Sequence, residues 1–463
     1  MPSSLDELPA HVRLESHPTA CNKAVAVSNV SPGSVILDVP SMVVLLLPSG
    51  KGHRCDFCLC SEASTVRLAR CAGCASYWYC GTQCQSLHWG SHKKYCKRLA
   101  SFTASADFQC LEEHEKLAAL LHTHLIAEIS SNVLCDARAK QLSTFMSLLP
   151  GPQHGSPPIA CPMSVSVEVH QSLEALFSRS GNNNFAVHSH LTTIAHGIFP
   201  LASRLFNHSC LPNAAARYVI RQGQPVHMEV VALRQINASE EICISYVDPA
   251  LIESRQQITH FTYGFSCTCP SCNFINTIGA IPPLPVSEAA LADLDNALQR
   301  FCIPSGDIDD HTLLAGSALQ VLPKNLHCVL HEGYLSRLTD TFSESSHEGS
   351  YRVALNVGLS VFAMYLLIYP TNYPQIGMHL LEMAKTAWNA VIAADHDNEQ
   401  DVPAKTSLLK RAQIYLDLSS KIIKVFGSEG DPGGPLEELA VLENLLREDE
   451  RSQLPVRKAW YDQ

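Results

Sequence analysis

The chain of 463 residues is short of several things that would narrow its class at once. It has no excess of basic charge: 33 Lys and Arg stand against 44 Asp and Glu, a formal net charge of −11. The isoelectric point is about 6.0. Nucleic-acid binding wants a basic face, so the overall balance speaks against that class. The local exception is His92-Lys93-Lys94 through Lys97-Arg98. Such a run reads as a solvated helix end that complements the helix dipole, and no DNA contact is expected there. The opening stretch MPSSLDELPAHVRLE holds acidic residues and no apolar h-region, so no secretory signal is expected. Long hydrophobic runs are scarce too. The best, residues 353–369, is shorter than the roughly 20 residues a spanning helix needs. It also carries Asn356, Gly358 and Ser360, so it reads as a buried helix, and no membrane partner is expected. With 46% hydrophobic residues, the chain is expected to pack as two to four units rather than stay disordered.

What the chain does have is cysteine, 19 in all. Between Cys55 and Cys96, seven cysteines and one histidine follow a tight spacing. It runs CDFC (55–58), CAGC (71–74), Cys80, Cys84 and HWGSHKKYC with His92 and Cys96. Zn²⁺ takes four N/S ligands in a tetrahedron, and two CxxC turns plus C-x3-C and H-x3-C supply two such sets. A disulfide framework is the other reading. A chain of this length needs no disulfides to hold a core, and nothing points to secretion. Cys60 and His88 lie among these residues, but the spacing leaves them out of the ligand sets. A second signal is YGFSCTCPSC (263–272). Cys267, Cys269 and Cys272 are three thiols that call for a fourth ligand, and Cys210 in NHSCLPN (207–213) is the best candidate. Cys210 is otherwise a small buried residue, as free cysteines often are, and spacing alone leaves both readings open.

Three segments in order, SRLFNHSCLPN (203–213), EEICISYVDPA (240–250) and YGFSCTCPSC, resemble the core and post-SET region of a SET methyltransferase. CQSLHWGSHKKYC (84–96) is similar to the tail of a MYND finger. A MYND finger set between an N-terminal SET piece and that core resembles the SET-and-MYND lysine methyltransferase family. The likeness covers about residues 10–277 by motif, with a weaker one to the family's helical C-terminal domain beyond. It implies an α+β fold: a SET-domain β-fold with an inserted two-zinc finger, a zinc-bearing post-SET loop and an α-helical C-terminal domain. It also implies interleaved pairing, with Cys55, Cys58, Cys80 and Cys84 on one zinc and Cys71, Cys74, His92 and Cys96 on another. A third zinc would be held by Cys210, Cys267, Cys269 and Cys272. The cofactor implied is S-adenosylmethionine, contacted by Asn22, Asn183, Asn207 and His208, with Phe265 stacked on adenine. Tyr246 matches the catalytic tyrosine, Tyr263 the opposite wall of the lysine channel, and Phe185 a further channel residue. One departure stands out. Where the family has a GxG, this chain reads TACNKAVAV (19–27), with Cys21 and Lys23 in the glycine positions.

The expected order is an N-terminal SET piece (1–49), the finger (50–97), a helical insertion (98–170), core SET (171–250), post-SET (251–277) and a helical C-terminal domain (278–463). Residues 24–47 read as short strands around a turn at Pro32-Gly33, and strands return in 214–247. Helical spacing appears at 111–129, 138–149, 378–392, 408–426 and 436–446. PGPQHGSPPIACP (150–162) reads as a loop. The function implied is lysine methylation on histone or other proteins. The alternative is a scaffold with weakened cofactor binding that holds proline-rich peptides through its finger. Residence in nucleus or cytoplasm is expected.

Overall fold

The computed structural model describes residues 8–62, 66–130, 136–152, 157–165, 167–304, 308–309, 318–396 and 402–453. Residues 153–156 of the expected loop and 1–7 of the N-terminal stretch lie outside the described residues. The chain divides into two compact units. The first comprises Met1–Asp248, Ser254–Cys267 and Ser428–Pro432. The second comprises Pro249–Glu253, Thr268–Gly427 and Gly433–Gln463.

The first unit is built of small sheets. Val12–His17 and Cys21–Ala26 form an antiparallel hairpin. Val35–Pro40 pairs with His227–Ala232, which pairs with Ala214–Val219. Val43–Leu46 pairs with Thr192–Ile198, which pairs with Asn184–Ser189. These strands alternate apolar and polar residues or run apolar, and their inward faces meet in one core. Phe199, Leu205, Phe206, Val230, Ile242 and Ile244 are buried in it. The strands expected in 24–47 and 214–247 are therefore present, with Gly33 at φ 82° in the turn. The two-residue strands Asn207–His208 and Cys243–Ile244 pair in parallel, which draws two distant motifs side by side.

The finger contains the hairpin Ala69–Arg70 and Trp78–Tyr79 and continues into the helix Thr82–His92. It has little apolar core apart from its own cysteines, Tyr77, Tyr79 and Tyr95. The helices Glu113–Ile129 and Asp136–Ser147 stand where the spacing predicts. The first is opened by the Glu115 carboxylate accepting the Glu112 backbone N–H at 2.9 Å. Residues Ser428–Pro432 join this unit as a strap. Asp431 accepts from Ser189 Oγ at 2.6 Å and pairs with Arg54 at 2.8 Å. Glu429 accepts the His190 N–H at 2.7 Å, and its backbone O accepts the Ile220 N–H at 2.8 Å.

The second unit is helical. Glu332–His347, Tyr351–Ile368, Pro374–His396, Val402–Phe426 and Pro435–Gln453 contain the three C-terminal segments with helical spacing. Tyr351–Ile368 is long and apolar enough to cross a membrane, and 61% of it is buried among its neighbours. Its Gly358 carbonyl accepts from the buried His379 at 2.8 Å, which ties it to Pro374–His396. The helices Glu288–Cys302 and Glu332–His347 were not marked by the sequence reading. Asp295 on the first accepts from Tyr334 and Arg337 on the second, each at 2.6 Å.

Candidate active site and metal centres

The twelve expected ligands gather into three tetrads: Cys55, Cys58, Cys80, Cys84; Cys71, Cys74, His92, Cys96; and Cys210, Cys267, Cys269, Cys272. Within each, the ligand atoms lie within 4.8 Å of one another. A tetrahedral zinc with bonds of about 2.3 Å sets its sulfurs about 3.8 Å apart. Cys71 and Cys96 Sγ are 3.8 Å apart, Cys210 and Cys267 4.0 Å, and Cys58 and Cys80 3.5 Å. His92 presents Nε2 at 3.6 and 3.5 Å from Cys71 and Cys74. The donor sets thus fit zinc in chemistry and in size. Among the described residues no cysteine is joined in a disulfide, so the disulfide framework finds no support. His88 stands outside the tetrads, with its Nδ1 on Tyr79 OH at 3.0 Å, and Cys60 is outside them too.

The expected active-site residues converge around Asn207–His208. Tyr246 follows the strand Cys243–Ile244 and is held at both ends by the neighbouring strand. Its hydroxyl donates to the Phe206 carbonyl at 2.5 Å, and its backbone N–H donates to His208 Nδ1 at 3.0 Å. Tyr263 lies beside it, ring centroids 5.0 Å apart, and its hydroxyl reaches the Tyr246 carbonyl at 3.4 Å. Phe265 completes the group, with centroids 5.8 Å from His208 and 6.2 Å from Tyr263. Tyr263 ends a π-helical turn, Thr259–Tyr263, closed by Gly264 at φ 77°. Gln256 then clamps the chain downstream: its amide donates to Cys267 O at 2.7 Å and accepts from Cys267 N at 3.0 Å. Burial raises the pKa of Tyr246 and Tyr263, so both hydroxyls stay neutral at physiological pH.

The residues expected on the cofactor side include Asn22 of the first hairpin. Asn207 Nδ2 donates to the Asn22 carbonyl at 3.1 Å and to Glu241 Oε1 at 2.9 Å. Cys21 keeps a glycine-like φ of 61° although it has a side chain, and that side chain is exposed. Lys23 faces Glu15 across the hairpin and pairs with it at 3.4 Å. The loop therefore keeps the backbone a glycine would give, and its one cation is partnered. Asn183 and Phe185 are placed differently. Asn183 is buried and donates to the Arg179 carbonyl at 2.9 Å, and Phe185 packs edge-on against Phe199 at 5.9 Å. No hydrogen bond or ring contact among the described residues joins either to the tyrosine pair. Glu241 and Gln256 are site residues that the sequence reading missed. Glu241 lies in the EEICISY motif and had a signal; Gln256 had none.

Comparison with known proteins adds the following. Residues 25–247 match the model of a family described as SET domain. N-lysine methyltransferase SMYD2-B of Xenopus laevis is 27% identical over 253 residues, 52% of this chain and 56% of that protein. N-lysine methyltransferase SMYD2 of Bos taurus is 25% identical over 250 residues, 52% of this chain and 55% of that one. The Homo sapiens protein of that name is 24% identical over 250 residues, with the same shares. The match thus spans about half the length of these curated relatives. A solved structure, the SET domain of LSMT bound to lysine and AdoHcy, aligns at 12% identity and a TM-score of 0.25, covering 96% of this chain and 88% of that one. A score that low carries no weight for the fold.

Proposed function

From the match of residues 25–247 to the SET domain model and the similarity to N-lysine methyltransferases, we propose that this chain is an S-adenosylmethionine-dependent protein-lysine N-methyltransferase acting on histone or non-histone lysines. The observation that carries this reading is Tyr246. Its O–H is spent on the Phe206 carbonyl, so the oxygen lone pairs are left to accept an N–H from an incoming amine. A lysine at pH 7.4 is neutral in about one molecule in a thousand, a cost of roughly 4 kcal/mol. A half-buried aromatic wall of Tyr246, Tyr263 and Phe265 disfavours the ammonium and lowers that cost. Tyr246 Oη then fixes the direction of the amine lone pair, which is the positional part of catalysis.

When bound, S-adenosylmethionine supplies an electrophilic methyl on a sulfonium. Asn22, Asn207, His208 and Phe265 would hold it: backbone carbonyl and amide on one side, ring faces on the other. Asn183 remains a proposed cofactor contact and Phe185 a proposed channel residue. Three zinc ions held by the tetrads would be structural, pinning the finger and the loop that carries Phe265. The partner is a protein bearing the target lysine. Proline-rich peptides are proposed ligands of the finger.

Calorimetric titration of S-adenosylmethionine into zinc-replete protein tests the reading. Binding in the micromolar range, weakened about tenfold by Asn207→Ala, is the expected result; a lost charge-neutral hydrogen bond accounts for that size. A folded, zinc-replete chain that binds none would leave the interaction scaffold instead.

A further inference from the structure

We infer that His208 is a positioning residue that ties the Cys210 metal site to Tyr246, a role that rests on the methyltransferase reading above. The argument turns on which ring nitrogen carries the proton. His208 Nδ1 lies 3.0 Å from the backbone nitrogen of Tyr246. An amide N–H only donates, so Nδ1 accepts and carries no proton. The neutral ring therefore bears its proton on Nε2. That nitrogen is 3.2 Å from Cys210 Sγ, so the N–H is directed at sulfur.

Cys210 is fully buried, so water does not compete for the sulfur. A metal-bound thiolate is an acceptor, and an N–H on it fixes its orientation and draws off part of its charge. His208 thus connects a metal thiolate, through one imidazole, to the amide of residue 246. The strand closes the connection from the other side. Two residues before His208, the Phe206 carbonyl takes the Tyr246 hydroxyl at 2.5 Å. Tyr246 is held at its amide and at its hydroxyl by one three-residue stretch, and the metal tetrad anchors that stretch two residues further on. The His208 ring also lies 5.4 Å from the Tyr246 ring and 5.8 Å from Phe265. A histidine serving only as a ring contact would need no defined tautomer; this role needs one.

Two substitutions each keep half of the imidazole. The amide oxygen of Asn stands near the Nδ1 position and accepts; the amide nitrogen of Gln stands near Nε2 and donates. The first measurement is ¹⁵N NMR of the histidine rings in the full, zinc-replete chain at neutral pH, with His208 assigned through the H208N variant. The expected result is a proton on Nε2 and a bare Nδ1. The second is zinc release to a chromogenic chelator. His208→Asn is expected to release one zinc at least about tenfold faster and leave two unchanged, since outer-shell partners are worth about 10–100-fold. His208→Gln is expected to keep slow release and lower kcat about tenfold. A proton on Nδ1, or unchanged release in both variants, overturns the proposal. If a variant fails to fold by circular dichroism, the tautomer of the wild-type ring decides. If no protein transfers methyl at all, the methyltransferase reading falls, while tautomer and zinc release still decide the connection.

Discussion

At the scale of the residue, the site turns on where single hydrogen bonds are spent. Tyr246 donates its hydroxyl to the Phe206 carbonyl, which on the proposed methyltransferase reading leaves its oxygen to accept from an amine. Tyr246→Phe removes that oxygen and leaves the carbonyl without its partner. We expect kcat for methyl transfer to fall about 100-fold, the usual scale for one positioned polar group. Cofactor affinity, followed by calorimetry, should stay within about threefold; a kcat within threefold of wild type would remove Tyr246 from the chemistry. Cys21 poses the opposite case. A φ of 61° on a residue with a Cβ costs about 1–2 kcal/mol. Cys21→Gly removes that strain but adds freedom to the unfolded chain, worth about 0.4–1 kcal/mol. The net expectation is a small rise in stability, between zero and about 1.6 kcal/mol, with cofactor binding equal or tighter. Differential scanning calorimetry and titration of one preparation read both, and weaker binding by the glycine variant would show that the loop is tuned to cysteine.

At the scale of the element, what is legible in the sequence depends on how local the physics is. Metal chelation by CxxC, C-x3-C and H-x3-C is local, so the eight finger ligands can be read from spacing, while their interleaved pairing into two tetrads came from the resemblance. The third needed Cys210 to meet Cys267 across 57 positions, and spacing alone left that open. The long helices could be read because burial imposes a period on their apolar residues, as in Pro374–His396. Asn207–His208 against Cys243–Ile244 could not be read by pattern, because two-residue strands have no period to show. Resemblance marked those residues, but only geometry shows Asn207 bound to Asn22 and Glu241. The π-helical turn Thr259–Tyr263 is likewise invisible to a 3.6-residue pattern. It ends on Gly264 at φ 77°, where an added Cβ would come within 3.2 Å of the Pro152 ring. Gly264→Ala is therefore strained twice, in the backbone and against a stiff neighbour. It should destabilise by about 1–3 kcal/mol in thermal melting, and it should lower kcat by displacing Tyr263 and Phe265 on either side. A variant that melts with the wild type would show that the turn tolerates a side chain.

At the scale of the whole molecule, the strap Ser428–Pro432 brings a late piece of the chain onto a unit formed mostly by its first half. Nothing in GSEGDPGG signals this, because its partners lie more than 200 positions away, at Arg54, Ser189, His190 and Ile220. Gly430 sits at φ 74° with its missing Cβ 2.6 Å from the Ile220 carbonyl, so the backbone passes where no side chain fits. The strap also makes stability depend on pH. Burial raises the Glu429 pKa to about 7, and Asp431 nearby adds to the shift, while the His190 N–H and Arg217 oppose it. An unfolded glutamate titrates near 4.5. Between those values the folded chain binds more protons than the unfolded one, so stability falls as pH rises. The contribution is complete below about 4.5, is lost progressively up to about 7 and then levels off. Glu429→Gln keeps an oxygen for the His190 N–H and removes the charge, so it should flatten this part of the curve. We expect it to melt a few degrees above wild type at pH 8 and to draw level near pH 5. Urea titrations at both values check the difference; parallel curves for the two proteins would show that Glu429 is well solvated when ionised.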